Sequence, residues 1–241
     1  MCKQLEHAIY TSTVPGSGDP GQVENEGIMS QDMQLAELMA ARLCHDLVGP
    51  IGAVANGVEL LGESGGPDPE VTGLIAASAR QASRRLQWFR IAFGTANALP
   101  ASAMMAETRR LASGLFEEGR VTLDWLAPDE ALEGATTRTG AKLALNLTLL
   151  ALESLPRGGT VRVRFEISSG LAMSVIALGT GARVPDDIEF ALRPGAEVKD
   201  LTAKAVPAYL AARLAEAVGV RLVHNSGADR VDFSISLPAT R

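Results

Sequence analysis

Residues 35–61, LAELMAARLCHDLVGPIGAVANGVELL, repeat apolar side chains at steps of three and four without interruption. At about 100° per residue this spacing builds one long amphipathic helix, here placed at residues 31–63. Ala36, Ala40, Leu43, Leu47, Ile51, Val54, Val58 and Leu61 form its apolar stripe. His45 falls on the other side, among Leu38, Ala41, Arg42, Gly49, Gly52, Asn56 and Glu59. Gly49 and Gly52 are each unfavourable inside a helix by roughly 1 kcal/mol against alanine. Pro50 removes a backbone donor and predicts a kink near Val48–Gly49. A helix built only to pack would carry alanine at these positions. The pattern therefore predicts an exposed histidine that another surface can approach closely.

A partner helix follows. Asp68 before Pro69 is an N-cap signal, and Gly94 is a stop signal, which places the second helix at 69–93. Val71, Ile75, Ser78, Ala82, Leu86, Phe89 and Phe93 form its stripe. Two helices with one stripe each bury their faces poorly alone. Two copies of the hairpin make a four-helix bundle, so a homodimer is expected. Arg80, Arg84, Arg85 and Arg90 give the second helix a basic side, from which Arg84 is assigned to partner contact.

Beyond residue 97 the pattern becomes mixed. Helices are predicted at 101–118, 137–155 and 204–219, and strands at 121–125, 160–168 and 171–179. A further hairpin closes the chain through VRLVHNS and DRVDFSISLP, and 180–203 reads as irregular. The fold class is α+β, with a sheet covered by helices on one side. Three segments result: a polar leader at 1–29 without regular structure, a helical hairpin at 30–96 and an α/β sandwich at 97–241. Met1 and Met29 both stand as starts.

The net charge of −6 argues against general nucleic-acid binding. Cys2 and Cys44 are the only cysteines, which fits a reducing cytosol and no disulfide framework. Cys44 next to His45 is a poor zinc pattern, since no other Cys/His cluster accompanies it. No stretch of 18 or more consecutive apolar residues is present, so no membrane association is expected. His7 lies in the leader, and His224 precedes Asn225-Ser226-Gly227, where a turn role is expected.

His45-Asp46-Leu47-Val48-Gly49-Pro50 resembles the phosphoacceptor box of sensor histidine kinases. A neutral imidazole is a good nucleophile toward phosphorus, and the adjacent carboxylate can orient it. The span from about 35 to 238 resembles a kinase core, the second part being like its ATP-binding (Bergerat) domain. The departures lie at the nucleotide site. In the run Asn146-Leu147-Thr148-Leu149-Leu150-Ala151, Leu150 stands where the kinases hold Mg²⁺ with asparagine. In Gly179-Thr180-Gly181-Ala182-Arg183-Val184-Pro185, Gly179 replaces the aspartate that reads adenine, and Arg183 replaces a glycine. Leucine cannot ligate Mg²⁺, and an unmet buried polar partner costs about 1–3 kcal/mol.

A phosphoacceptor hairpin joined to such a degenerate domain resembles the ChpT family of alphaproteobacterial histidine phosphotransferases. The strings AARLCHDLVGP, ASARQASRRLQWFRIAFG, LPRGG and AYLAARLAEAVG carry the resemblance. It implies a cytoplasmic phosphorelay protein of the cell cycle. His45 would take phosphoryl from the receiver domain of a hybrid histidine kinase. It would then pass it to response-regulator receivers such as CtrA and CpdR. Mg²⁺ would sit on the receiver, with no ATP, cofactor or metal on this chain. Asp46 is assigned to orienting the ring, Arg42 to offsetting charge on the transferring group, and Leu38, Ala41, Gly49, Gly52 and Asn56 to docking. An ATP-dependent sensor kinase and a non-catalytic dimeric scaffold remain the alternatives.

Overall fold

Helices α1 (Gln31–Glu63) and α2 (Pro69–Ala92) form the expected hairpin. The computed structural model describes residues 30–63, 68–94, 100–117, 119–126, 135–167 and 170–238. The leader at 1–29 lies outside the described residues. Asp68 caps α2 by accepting from the backbone N–H of Glu70 at 2.8 Å and of Val71 at 3.4 Å, with Pro69 at the first helical position. At the other end a side chain on Gly94 would strike the carbonyl of Arg90. The assigned helix continues through Pro50, which is buried. Gly57 is also buried, and an added Cβ there would stand 2.5 Å from Ile75 Cγ1. The glycine lets α1 and α2 approach at this point.

Helix α3 (Ala101–Gly114) is shorter than its sequence pattern suggested. Strand β1 (Val121–Leu126), α4 (Ala135–Glu153), β2 (Gly159–Ile167) and β3 (Gly170–Leu178) follow. The stretch read as irregular holds a short helix, α5 (Asp186–Ala191), and two 3₁₀ turns. Helix α6 (Val206–Ala217) and strands β4 (Val223–Gly227) and β5 (Arg230–Pro238) complete the chain. The sheet order is β1-β2-β3-β5-β4, with β1 parallel to β2 and the other pairs antiparallel. His224 lies within β4, paired with Phe233, and the tip of that hairpin is formed by Asp229 at φ 56°.

Alternation along the strands sends one set of side chains inward. Val161, Ala177 and Val231 share one row, Val163, Val175 and Phe233 the next, and Phe165, Met173 and Ile235 a third, all buried. Helix α4 is apolar nearly all round because it packs on two sides. Leu143, Ala144, Leu147, Leu150 and Ala151 meet the sheet and α6, whereas Ala141, Leu145 and Leu149 meet α2 and α3. The second contact corrects the stripe read for α2. Leu86 is exposed, and Trp88, Phe89, Ile91 and Ala92 turn into the α3–α4 cluster. On α1, Val48, Ile51 and Val58 stay 72%, 52% and 57% exposed. By length and composition α1 could also cross a membrane, with an 18-residue window of mean hydropathy 1.2, but here it packs on α2 and carries the charge pairs described below.

The hairpin contact yields a paired stability test. Gly57→Val must displace Ile75, and overpacking of this kind costs about 1–3 kcal/mol. Gly49→Ala meets nothing within 4 Å and gains up to about 1 kcal/mol of helix propensity. Thermal unfolding should therefore shift down for the first and up for the second. Shifts of the same sign would show that the hairpin does not close at Gly57.

Candidate functional site

The His45 side chain is 84% exposed. Its Nδ1 lies 3.1 Å from Asp46 Oδ1. A carboxylate oxygen only accepts, so Nδ1 is the donor, and in the neutral ring this tautomer leaves the lone pair on Nε2. Asp46 is held in turn. Its Oδ2 accepts from Arg42 Nε at 3.1 Å, and Arg85 Nη1 of α2 stands 3.6 Å away. The register that brings Gly57 against Ile75 also brings Asp46 to Arg85, about three turns along the antiparallel pair.

Arg42 is only 7% exposed. Besides Asp46, it donates through Nη2 to Glu153 Oε1 at 2.7 Å and through Nη1 to the carbonyl of Lys204 at 3.2 Å. Burial works against its charge, and Glu153 and Asp46 outweigh it, so the guanidinium pKa is raised. Burial pushes the Glu153 carboxyl up, although Arg42 pulls it back in part. A cavity of about 180 Å³ adjoins the cluster, walled by Trp88, Phe89, Leu149 and Leu152.

The other assigned residues divide. Ala41, Gly49 and Asn56 are exposed, and Gly52 is half-buried with open space where a Cβ would go. Leu38 is half-buried against the α/β core rather than open beside His45. Arg42 turns inward with its donors committed, so it does not stand free beside the ring. Arg84 pairs with Glu117 at 3.1 Å, and it is Arg85 that reaches Asp46. Glu153 was not singled out in the sequence, since it closes an apolar helix and its partner lies in a different element.

At the positions that resemble the kinase nucleotide site the residues face the chain itself, and only Asn146 Oδ1 among those described below is buried without a partner. Asn146 is fully buried and donates to the Lys142 carbonyl at 2.8 Å. Leu150 is in the core. A side chain on Gly179 would strike the Gly158 carbonyl and stand 2.9 Å from Leu155 Cδ2. The backbone N–H of Gly181 donates to Asp229 Oδ1 at 2.7 Å. A carboxylate of the chain itself thus takes the place of an anion.

A helical hairpin that presents one carboxylate-oriented histidine, backed by a closed kinase-like α/β layer, defines a histidine phosphotransfer protein. The family model for the histidine phosphotransferase C-terminal domain matches residues 105–230. The protein phosphotransferase ChpT of Brucella abortus (strain 2308) is 34% identical over 204 residues, which are 84% of this chain and 95% of that protein. A solved structure of a bacterial phosphotransferase superposes with a TM-score of 0.71 at 32% identity, covering 86% of this chain and 97% of the other. The chain belongs to the ChpT family of histidine phosphotransferases.

Restoring the kinase residue alone should not reopen the nucleotide site. Gly179→Asp is expected to lower the melting temperature by forcing apart the 155–158 turn and the 179–181 loop. Calorimetric titration with ATP and Mg²⁺ should show no saturable binding. Micromolar binding by this variant would show that the pocket is only one side chain away from function.

Proposed function

We propose that this protein relays phosphoryl groups through His45 between receiver domains. The observation that carries the reading is the exposed His45 ring with Nδ1 engaged by Asp46. Nε2 attacks the phosphorus of an aspartyl phosphate in line. The Nε2–P bond forms as the bond from phosphorus to the aspartate oxygen breaks, and the carboxylate leaves with the electron pair. The Nδ1 proton stays on the ring, where Asp46 stabilises the positive charge that develops. Transfer to the next receiver is the same step reversed. The receiver supplies Mg²⁺, and this chain takes no ATP and no metal of its own.

The receiver docks over Ala41, Gly49, Gly52 and Asn56, whose small or polar side chains let it approach the ring. Residues 97–241 act as a second wall for it. The donor is the receiver of a hybrid histidine kinase, and the acceptors are CtrA- and CpdR-like receivers in the cytoplasm. The hairpins of two chains form the four-helix bundle, which would cover Ile51 and Val58.

Labelled ATP with and without a phosphorylated receiver donor tests the reading. Label is expected on this protein only with the donor, and His45→Ala should abolish it. Asp46→Ala should leave transfer about 10–100-fold slower. Labelling by ATP alone would make the protein a kinase; activity surviving in His45→Ala would leave a scaffold.

The dimer has its own test. Ile51→Glu combined with Val58→Glu should halve the mass seen by sedimentation equilibrium while the fold persists. An unchanged mass would place the contact elsewhere.

A further inference from the structure

Glu153 is an unexpected charge at the edge of the core, with its side chain only 14% exposed. It is the last residue of α4, whose second half is otherwise apolar apart from Asn146 and Thr148 and which packs on both sides. Its Oε1 accepts from Arg42 at 2.7 Å, and its buried Oε2 has no hydrogen-bond partner among the described residues. A buried carboxylate is costly even when paired, and an apolar residue often serves stability as well or better. Packing alone does not explain this one.

Its place in the site does. Asp46 divides its two oxygens: Oδ2 faces Arg42 and Arg85, and Oδ1 faces His45 Nδ1. That division depends on Arg42 approaching Asp46 through Nε alone. The guanidinium is planar and its donors are fixed in a fork. Glu153 holds Nη2 and the Lys204 carbonyl holds Nη1, so α4 and the turn before α6 set the plane, while α1 supplies only the Asp46 contact. With Glu153 neutral, Arg42 loses a charged partner. It is then free to rotate onto Asp46 with both Nε and Nη2, the bidentate arrangement that guanidinium and carboxylate favour. Both Asp46 oxygens would be taken, and the imidazole would be released.

We infer that Glu153 is a positioning residue for phosphotransfer. It acts from the α/β layer through Arg42 and Asp46 to hold His45 with its proton on Nδ1 and its lone pair on Nε2. The inference rests on the phosphotransfer reading for its consequence, not for its geometry. It gives the kinase-like layer a task that needs no nucleotide, since docking of that layer on α1 fixes the nucleophile.

The test uses the full-length chain with Glu153→Gln, which keeps shape and removes charge. Nitrogen-15 NMR of labelled histidine reads the tautomer directly, and the His45 signals are identified by their loss in His45→Gln. Wild type should show a protonated Nδ1 and a bare Nε2; Glu153→Gln should shift the ring toward the Nε2-protonated form. Single-turnover transfer from a phosphorylated receiver should slow about tenfold, with the receiver Kd unchanged. An unchanged tautomer in a folded Glu153→Gln overturns the inference, even where the rate falls, because Glu153 would then act on docking or stability. An unchanged rate overturns it as well. If Glu153→Gln does not fold, Arg42→Lys carries the test: lysine cannot bridge both carboxylates in a fixed plane, and the same tautomer shift is expected. If wild type accepts no phosphoryl group from any donor, the phosphotransfer reading fails, while the tautomer comparison still decides whether Glu153 positions the ring.

Discussion

A guanidinium taken out of water has to be met on every side, and Arg42 is met by three elements. The effective penalty for burying one ion is several kcal/mol. An exposed i,i+4 pair with Asp46 would return only about 0.3–0.5 kcal/mol, so the pair within α1 cannot hold Arg42 in the interior. Glu153 and the Lys204 carbonyl make up the difference, and both belong to the α/β layer. Rotation of α1 about its own axis is thereby tied to that layer. Turning Arg42 inward carries Asp46 with it and leaves His45, three residues on from Arg42, pointing outward.

Residues at the positions that hold ATP in the kinases this layer resembles make contacts within the chain here. Asn146 bonds within α4, Leu150 joins the core under the sheet, and Gly179 lets the 158 turn pack against it. Asp229 occupies the amide of Gly181. The other face of α4 carries the hairpin, through Trp88, Phe89, Ile91 and Leu149.

Much of this was legible in the sequence, for identifiable reasons. Helix α1 and the start of α2 follow from periodicity and from Asp68-Pro69, and both are local signals. The hairpin strands β2 and β3 follow from alternation. The misplaced side chains depend on a second element. The α2 stripe was read as continuous through Leu86, but α4 draws Trp88 and Ile91 inward instead. Arg42 and Arg84 were read as exposed on their own helices. Their partners, Glu153 and Glu117, are distant in sequence and carry no pattern that announces them. The exposure of His45 was legible because the glycines and proline that shape its surroundings are adjacent in the chain.

Exposure and order at His45 are in tension, and the site resolves it by separating them. A side chain that is 84% exposed cannot be held in place by its own packing. Among the described residues the ring has one hydrogen-bond partner, Asp46, which is itself tightly held. Order is passed outward from the buried ion pair to Asp46 and from Asp46 to the ring, while the ring stays open to solvent. A carboxylate next to the histidine would not suffice on a free helix, where it would sample several rotamers. The α/β layer supplies a hold that the hairpin alone lacks: Glu153 and the Lys204 carbonyl meet the buried Arg42 of α1.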